Sequence, residues 1–286
     1  MLTNYFLDLD TFVGNVIHSS VDATYISRHI SLRVGGPIKS PALTVNRLCG
    51  SGFEVVCLGA ESILLGKSNV ILCSGTENMS ASPLVMDGIQ SRFGTALGKG
   101  LHAEDSLWAA LTDSYTRTPM GITAENLAKK YDISRQECDE YGLRSQQLWK
   151  KAHDAKVFDS EICPIPLPNK KGDAEVFSVD EHPRPATTIQ NLAKLKPVFK
   201  EDGCVTAGTA SGICDGAASL VLASEAALSA HHLVPLSRIV SWNRVGCEPE
   251  IMGIGPVEAI RGALAVADLS LSQMDLIEVN EAFAAQ

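Results

Sequence analysis

One strand–helix–strand pattern limits the fold of this 286-residue chain more than any other feature. Leu43–Asn46 has the apolar character of a short buried strand, and the run from Gly50 to Leu65 has helical length without a broad polar face. Gly66 stands where a helix commonly ends, and Val70–Cys73 follows as a second apolar strand. Such a unit implies a parallel sheet with covered faces, so we expect an α/β protein with this helix buried in its core.

Cys49 lies between the first of these strands and the helix, directly before Gly50-Ser51-Gly52. A thiol at a helix N-terminus is close to the positive end of the helix dipole, which favours the thiolate. Gly50 and Gly52 are expected to let other backbone approach closely, and a nearby N–H could stabilise an oxyanion. Spacing alone also allows the alternative that Cys49 is a small buried apolar residue.

Composition excludes several classes of protein. A formal net charge of -9 argues against a general nucleic-acid binder, although local cations could still bind an anionic ligand. The 8 cysteines form no C-x-x-C pair, so free thiols in a reducing compartment are expected rather than a zinc site or a disulfide framework. No apolar run of about 18 residues is present, and "MLTNYFLDLDTF" resembles neither a secretory signal nor a transit peptide.

The middle of the chain differs from its two ends in the length of its apolar runs and in its content of charged residues. Between residues 83 and 206 the apolar runs shorten and charges increase, which predicts an insertion in the α/β core. Thr123 is predicted to cap one helix, and Ser134 with Glu137 forms a capping box for a longer helix to about Ala155. The Pro-rich segments 163–173 and 180–188 predict loops and edge strands.

The core texture returns after Gly208. We expect two further strands and a third near the end, together with two helices. These are a strand at Ser219–Ala223, a helix capped by Ser224, a strand at Pro235–Trp242, a helix starting at Gly255-Pro256 and a strand at Asp275–Val279.

Six motifs, in order, resemble those of the thiolase family from about Val13 to Gln286. They are "NRLCGSGFEVV", "CSGTENMSASP", "TAENLAKKYDISRQECDEYGLRSQ", "VTAGTASGICDGAASLVLASE", "IMGIGPVEAI" and "VNEAFAAQ". "RFGTALGKGLHAEDSLWAALTD" and "TPMGITAENLA" are most similar to the mitochondrial 3-ketoacyl-CoA thiolases of fatty-acid β-oxidation, because acetoacetyl-CoA thiolases usually carry a His where Pro119 stands. Ketoacyl synthases share the strand–Cys–helix arrangement, but the N-E-A-F and T-A-G-x-A-S-G segments favour thiolase.

The resemblance implies a layered α/β/α/β/α fold. It places an N-terminal domain at 1–223, with 83–206 as an inserted loop domain, and an incomplete C-terminal domain at 224–286. It implies acyl-CoA and coenzyme A as substrates, no permanently bound cofactor, and self-association as a dimer or tetramer. It also suggests the mitochondrial matrix, with cytoplasm and peroxisome as alternatives.

The resemblance also assigns candidate site residues. Cys49 matches the nucleophile that carries the acyl group, and Asn280 of N-E-A-F matches the residue that orients a water in an oxyanion hole. Substrate and coenzyme A are expected to contact Met120, Arg184, Thr187, Ser211 and Phe283. An Arg suits a nucleotide phosphate and a Ser suits the pantetheine, although ordinary loop chemistry also explains these residue types.

Two family motifs are missing from these 286 residues: the G-H-P whose His acts as base, and the late C-x-G whose Cys moves the C2 proton. Glu181-His182-Pro183 lacks the preceding Gly, and Cys214-Asp215-Gly216 lies inside the "ASG…DGA" segment, so neither replaces them. The first strand and helix of the family have no expected counterpart before Phe12, and "MLTNYFLDLD" looks unrelated. We therefore expect a thiolase sequence that is incomplete at both ends, as a partial record or a truncated isoform.

Three activities remain open. The first is thiolase-type acyl transfer, weakened by about 10²–10⁴ in rate without a general base. The second is a non-catalytic module that binds coenzyme A or oligomerises. The third is slow thioesterase action, in which water releases an acyl group from Cys49.

Overall fold

The computed structural model describes residues 9–167 and 175–286. Its strands are β1 (Leu9–Gly14), β2 (Ala42–Val45), β3 (Val70–Asn78), β4 (Leu84–Met86), β5 (Ala103–Asp105), β6 (Thr112–Asp113), β7 (Thr118–Pro119), β8 (Ile165–Leu167), β9 (Glu175–Phe177) and β10 (Asp215–Ala223). Its α-helices are α1 (Ile26–Arg33), α2 (Ser51–Leu64), α3 (Gly88–Phe93), α4 (Ser106–Ala110), α5 (Met120–Lys130), α6 (Arg135–Asp154), α7 (Ile189–Ala193), α8 (Glu225–His231) and α9 (Gly255–Ala267).

The chain folds into two compact units. The first contains the described residues up to Ser114, together with Ile213–Arg244 and Ala259–Met274. The second contains Tyr115–Gly212, Val245–Glu258 and Asp275–Gln286. The domain boundaries expected at 1–223, 83–206 and 224–286 stay predictions. None of the helices in the described ranges is long and apolar enough to span a membrane.

The first unit contains a four-stranded sheet in the order β10-β3-β1-β2. The expected parallel pairing is confirmed, since β1 runs parallel to both β2 and β3. β10, however, is antiparallel to β3, so the expectation of a wholly parallel sheet is wrong. A crossover helix makes the two strands that it joins run in the same direction. No such crossover joins β3 to β10, because a long stretch of chain lies between them, so β10 can enter the sheet in either direction.

Strand β1 lies at the centre of this sheet, between β3 and β2. Leu9 and Val13 are almost completely buried in it, with relative exposures of 4% and 0%. The expectation that "MLTNYFLDLD" is unrelated to the fold is therefore wrong for Leu9 and Asp10. Asp10 interrupts the apolar pattern in the sequence, yet it too is buried, because both faces of a central strand are covered.

Helix α2 connects β2 to β3 and packs on the sheet through one narrow stripe. Val55 and Ala60 are buried, and a Cβ at Gly59 would lie 2.8 Å from Leu222 Cδ1, so the helix approaches the sheet closely. Phe53 and Leu64 are 72% and 76% exposed, so the expectation of a helix buried on all sides is wrong. Periodicity shows which residues are apolar, whereas packing partners decide which apolar residues are covered.

The segment from β4 to β5 is a largely exposed part of the first unit. β4 and β5 pair antiparallel at its base, and α3 lies between them in sequence. Ile89, Phe93 and Leu97 are 72%, 85% and 105% exposed, so the arm contributes little to a core of its own. We call residues 84–105 the β4–β5 arm.

The second unit is built around α5, α6 and a buried cluster of Ala124, Ala128, Cys138, Cys204, Val205 and Ala285. The capping box of Ser134 and Glu137 is confirmed at the start of α6. Thr123 is not a cap: α5 begins one turn earlier, and the Thr123 hydroxyl donates to the carbonyl of Met120. The first Pro-rich segment, 163–173, contains the short strand β8, which pairs antiparallel with β9 just beyond it, and residues 168–173 of that segment lie outside the described ranges.

Two expected strands are absent from the described part of the chain. The strand expected at Ser219–Ala223 is confirmed within β10, and Ser224 caps α8. Pro235–Trp242 and Asp275–Val279 form neither helix nor strand. A strand needs a neighbour for its backbone hydrogen bonds, and neither segment forms a ladder with another described segment.

Candidate active site

Cys49 ends a tight turn between β2 and α2. The Asn46 side chain accepts from the Leu48 N–H at 3.0 Å, and the Arg47 carbonyl accepts from the Gly50 N–H at 3.1 Å. Ser51 Oγ accepts from the Arg47 N–H at 2.8 Å and donates to the Leu48 carbonyl at 2.6 Å. These bonds close the turn, and Cys49 is an exposed residue that immediately precedes Gly50, the N-cap of α2.

Leu48 adopts a left-handed backbone conformation, with φ of 48°. A non-glycine residue in this region costs about 1–3 kcal/mol and persists only where its surroundings hold it. The hydrogen bonds from Ser51 to both sides of Leu48 supply that support. The chain thus tolerates a strained residue immediately before the thiol.

The two glycines after Cys49 confirm only part of our expectation. Gly50 has φ of -85°, which any residue can adopt, but a Cβ on it would lie 3.3 Å from the Arg47 carbonyl oxygen, so backbone does approach closely there. Nothing lies within 4 Å of a Cβ placed on Gly52, and a still closer approach is found at Gly14, where a Cβ would lie 2.8 Å from the carbonyl carbon of Ser51. Gly14 is the last residue of β1, so the N-terminus of α2 rests on the end of the central strand.

A row of charges lies along α2 behind the turn. Arg47 Nη1 is 2.6 Å from Glu54 Oε2, which also accepts from Arg244 Nε at 2.9 Å. Arg244 Nη1 is 2.6 Å from Glu61 Oε1, and Trp242 Nε1 donates to the same oxygen at 3.1 Å. Burial alone would raise the pKa of Glu54, but hydrogen bonds from Arg244 and Arg47 hold it below its usual range. We call Arg47, Glu54, Arg244 and Glu61 the α2 charge row.

The other thiols are less suited to act as nucleophiles. A hydrogen bond from Cys204 lowers the pKa of Cys138, but Cys138 is buried. Burial raises the pKa of Cys73 to about 12, and burial also raises the pKa of Cys57. A hydrogen bond to the Cys138 thiol and burial raise the pKa of Cys204. The remaining exposed cysteines, none of which lies within two residues of the start of an α-helix, are Cys163, Cys214 and Cys247. Exposure and a helix N-terminus therefore coincide at Cys49.

A groove of about 500 Å³ in the first unit lies at the other end of α2. Leu58, Glu61, Ser62 and Leu65 form its helical side. Cys49 does not line it, so the groove plays no part in the assignment of the nucleophile.

In the second unit, the chain end pairs with the loop that contains Ser211. The Ser211 N–H donates to the Ala282 carbonyl and the Ala284 N–H donates to the Thr209 carbonyl, both at 2.8 Å. This pairing places the N-E-A-F segment beside Ser211. Ser211 and Asn280 are exposed. Phe283, expected to line a pocket, is half-buried and packs against the core cluster of this unit.

The other candidate CoA contacts belong to a second part of the same unit. Arg184 Nη1 donates to the carbonyls of Glu181, His182 and Pro183, and the Thr187 hydroxyl donates to the Arg184 carbonyl at 2.6 Å. The exposed guanidinium therefore also holds its own loop together. The His182 ring lies against Gly212, next to Ser211, so closely that a Cβ on Gly212 would clash with it. Met120, half-buried, is the first residue of α5.

Sequence reasoning missed the residues that hold these loops. Glu281 accepts a hydrogen bond from Ser145 of α6, and burial together with the Glu281 carboxylate raises the pKa of Tyr141. Glu125 is 4% exposed and accepts from the N–H groups of Cys204 and Val205 at 3.0 and 2.9 Å. The glutamate of the N-E-A-F motif could have indicated a role for Glu281. A glutamate on the buried face of α5 gives no comparable signal.

Both halves of the chain match known protein families. Residues 9–226 match the family described as "Thiolase, N-terminal domain", and residues 233–286 match "Thiolase, C-terminal domain". The chain is 55% identical to the "3-ketoacyl-CoA thiolase, mitochondrial" of Homo sapiens over 274 residues, which cover 96% of this chain and 68% of the relative.

Solved structures agree with the sequence comparison. The crystal structure of human mitochondrial 3-ketoacyl-CoA thiolase is similar with a TM-score of 0.93 and 54% identity, covering 96% of this chain and 69% of that one. The same human enzyme in complex with CoA gives a TM-score of 0.92 at 54% identity, covering 96% and 68%. The expected α/β class and thiolase fold are thereby confirmed, and the chain belongs to the thiolase family.

Proposed function

We propose that this chain is a thiolase-type acyltransferase that cleaves 3-ketoacyl-CoA into acetyl-CoA and a shortened acyl-CoA. The observation that carries the proposal is Cys49, an exposed thiol that follows the strained residue Leu48 and immediately precedes the N-cap of α2. The family membership of the chain supports the same assignment.

The chemistry divides into two stages. The Cys49 thiolate attacks the C3 carbonyl carbon, the C2–C3 bond breaks, and its electron pair stays on C2 of the departing acetyl-CoA, which then takes up a proton. A second coenzyme A, as thiolate, attacks the acyl-Cys49 thioester and restores the free thiol. Asn280 is proposed to orient a water towards the developing oxyanion. We assign no residue of these 286 to the proton transfers.

Coenzyme A is proposed to bind the second unit, through Arg184, Thr187 and Ser211, with Met120 and Phe283 near the acyl chain. Exposure of Arg184 and Ser211 supports this proposal, as does the match to a human thiolase solved in complex with CoA. A guanidinium that already orders its loop is prepared to meet a phosphate without further loss of side-chain freedom.

The test is acylation of Cys49. The purified 286-residue chain is incubated with acetoacetyl-CoA or a longer 3-ketoacyl-CoA without free coenzyme A, and its peptides are analysed by mass spectrometry. We expect an acyl adduct on Cys49 and an equal amount of released acetyl-CoA. Cys49→Ser should abolish both, whereas Cys247→Ser, at another exposed thiol, should leave them unchanged. A folded chain without an adduct on Cys49 would contradict the proposal.

A non-catalytic module that binds coenzyme A is the second candidate. It is favoured by the fact that the CoA-binding candidates Arg184, Thr187 and Ser211 all belong to the second unit, whereas Cys49 belongs to the first. This candidate expects coenzyme A to raise the melting temperature while no acyl-Cys49 forms. Arg184→Met should remove that shift, and Arg92→Met, on the β4–β5 arm, should not.

Self-association is proposed on the basis of the β4–β5 arm. Its exposed apolar side chains are of the kind that is usually covered by another molecule, and we propose a second copy of this chain. Light scattering should show a dimer or larger species for the native chain. Phe93→Ser with Leu97→Ser should shift it towards monomer, and an unchanged mass would argue against the arm.

We further propose that the protein acts in fatty-acid β-oxidation in the mitochondrial matrix. The support is the similarity of the chain to the mitochondrial 3-ketoacyl-CoA thiolase of Homo sapiens. Fractionation of cells that express the endogenous protein tests this location, and recovery in cytosol or peroxisomes would contradict it.

A further inference from the structure

We propose that Glu54 is a positioning residue for Cys49 and that it acts through Arg47. The inference rests on the proposed function, because it concerns the placement of the proposed nucleophile. It assigns a role to a side chain that does not itself belong to the turn.

Arg47 joins the turn to the helix. Its backbone N–H donates to the Ser51 hydroxyl and its carbonyl accepts from the Gly50 N–H, so both backbone polar groups of Arg47 take part in the turn. Its side chain reaches Glu54, one turn into α2, at 2.6 Å. Movement of this guanidinium is therefore transmitted to the backbone two residues before Cys49.

Glu54 is held in turn by the rest of the α2 charge row. Its side chain is only 13% exposed, and Arg244 bridges it to Glu61 on the same helix. Exposed single ion pairs contribute little to order, but a network with partly shielded members fixes its side chains more firmly. Arg47 is thus tied to a carboxylate that has little freedom of its own.

Leu48 shows why such an anchor is useful. Its left-handed conformation is intrinsically unfavourable and relaxes unless neighbouring groups prevent it. The Ser51 hydroxyl bonds to the Leu48 carbonyl and to the Arg47 N–H, and the ion pair with Glu54 further holds Arg47, the residue that precedes Leu48. Without the ion pair we expect the turn to sample other conformations, in which Cys49 leaves the N-terminus of α2.

The experiment measures alkylation of Cys49 by iodoacetamide at about pH 7, a reaction in which the thiolate is the nucleophile and whose rate depends on the placement and access of the sulfur. The variants are Arg47→Met, Glu54→Gln and the two combined, with rates read from Cys49 peptides by mass spectrometry. The combined variant removes one positive and one negative charge, so the net charge near Cys49 is unchanged. We expect about three- to tenfold slower alkylation in Arg47→Met, and no further slowing when Glu54→Gln is added.

The matched control is Lys150→Met with Asp154→Asn. This ion pair on α6 also measures 2.6 Å but belongs to the second unit, and its loss should leave Cys49 alkylation unchanged. Protection of buried Cys73 reports whether each variant is folded. If Arg47→Met exposes Cys73, Arg47→Lys replaces it as the milder variant, with a smaller slowing expected.

Two outcomes would overturn the proposal. One is a combined variant whose Cys49 reacts at the native rate. The other is a combined effect equal to the product of the single effects, which would show that Glu54 and Arg47 act independently. Failure of native Cys49 to accept an acyl group would overturn the proposed function instead, because alkylation by iodoacetamide needs no substrate.

Discussion

Gly14 and Ser51 approach so closely that a Cβ on Gly14 would lie 2.8 Å from the Ser51 carbonyl carbon. The first residue ends the central strand β1, and the second begins α2. Their contact sets the N-terminus of α2, and with it the turn that carries Cys49, against the carboxyl end of the sheet.

Gly14→Ala should therefore destabilise the first unit. The added methyl group meets backbone rather than a flexible side chain, and we expect a loss of about 1–3 kcal/mol in the free energy of unfolding, with slower acylation of Cys49. Gly75→Ala is the control: Gly75 pairs with Gly14 across the sheet, but its Cβ would meet only Gly52 Cα at 3.8 Å. It should change stability by less than about 1 kcal/mol in urea unfolding. Equal effects of both substitutions would contradict the contact.

Ser51→Ala should loosen the turn itself. The hydroxyl accepts from Arg47 and donates to Leu48, and Ser51 is 5% exposed, so its removal leaves a shielded N–H without its acceptor. We expect a loss of about 1–3 kcal/mol in thermal or urea unfolding and a lower rate of Cys49 alkylation. Ser91→Ala removes an exposed hydroxyl and should change stability by less than about 0.5 kcal/mol. A stable Ser51→Ala with native alkylation would show that the turn does not depend on this hydroxyl.

The α2 charge row should make stability fall in acid. Hydrogen bonds from Arg244 lower the pKa of Glu61, and those from Arg244 and Arg47 lower the pKa of Glu54 against the effect of burial. A carboxyl group with a lower pKa in the folded state makes the unfolded chain bind protons first, so its contribution is present above the ordinary carboxyl range and is lost as pH falls.

Urea unfolding at several pH values between about 6 and 3 tests this expectation. Arg244→Met should make the dependence on pH shallower, because it removes the partner that the two carboxylates share. Lys150→Met, in the exposed pair on α6, should leave the slope as in the native chain. An identical slope for Arg244→Met would show that the row does not couple stability to protonation.

Glu125→Ala should destabilise the second unit strongly. The carboxylate accepts from two buried N–H groups, at Cys204 and Val205, and the segment that follows leads to Ser211. Two donors left without an acceptor imply a loss of about 3 kcal/mol, together with weaker binding of coenzyme A. Glu140→Ala removes an exposed carboxylate of α6 and should have little effect. Native thermal stability in Glu125→Ala would contradict this role.

Local patterns in the sequence were sufficient for several elements. The apolar run before Gly66 predicted α2, Ser134 and Glu137 predicted the start of α6, and Ser224 predicted the start of α8. These elements depend on residues three or four positions apart, whose interactions are already present in a short segment. The same locality explains the error at Thr123, because a hydroxyl can cap a helix or bond back within one, and α5 starts where Pro119 ends an extended segment.

Contacts between distant segments decided the rest. The place of β1 at the sheet centre, the antiparallel entry of β10 and the lack of a ladder at Pro235–Trp242 all depend on which segments meet. The candidate site divides in the same way: the thiol at Cys49 was recognisable, whereas Glu281 and Glu125 were not identified as supports of the second unit's loops.

The sequence by itself determined the βαβ unit, the thiol at its helix N-terminus and the membership of the thiolase family. The first two rest on spacing along the chain, and the third rests on ordered motifs that resemble those of the family. Only the tertiary structure showed that the N-terminus of α2 packs against Gly14, that Arg244 bonds to Glu54 from 190 positions away, and that much of α2 is exposed. Close approach, ion pairing and burial are properties of groups brought together by folding, so spacing along the chain does not specify them.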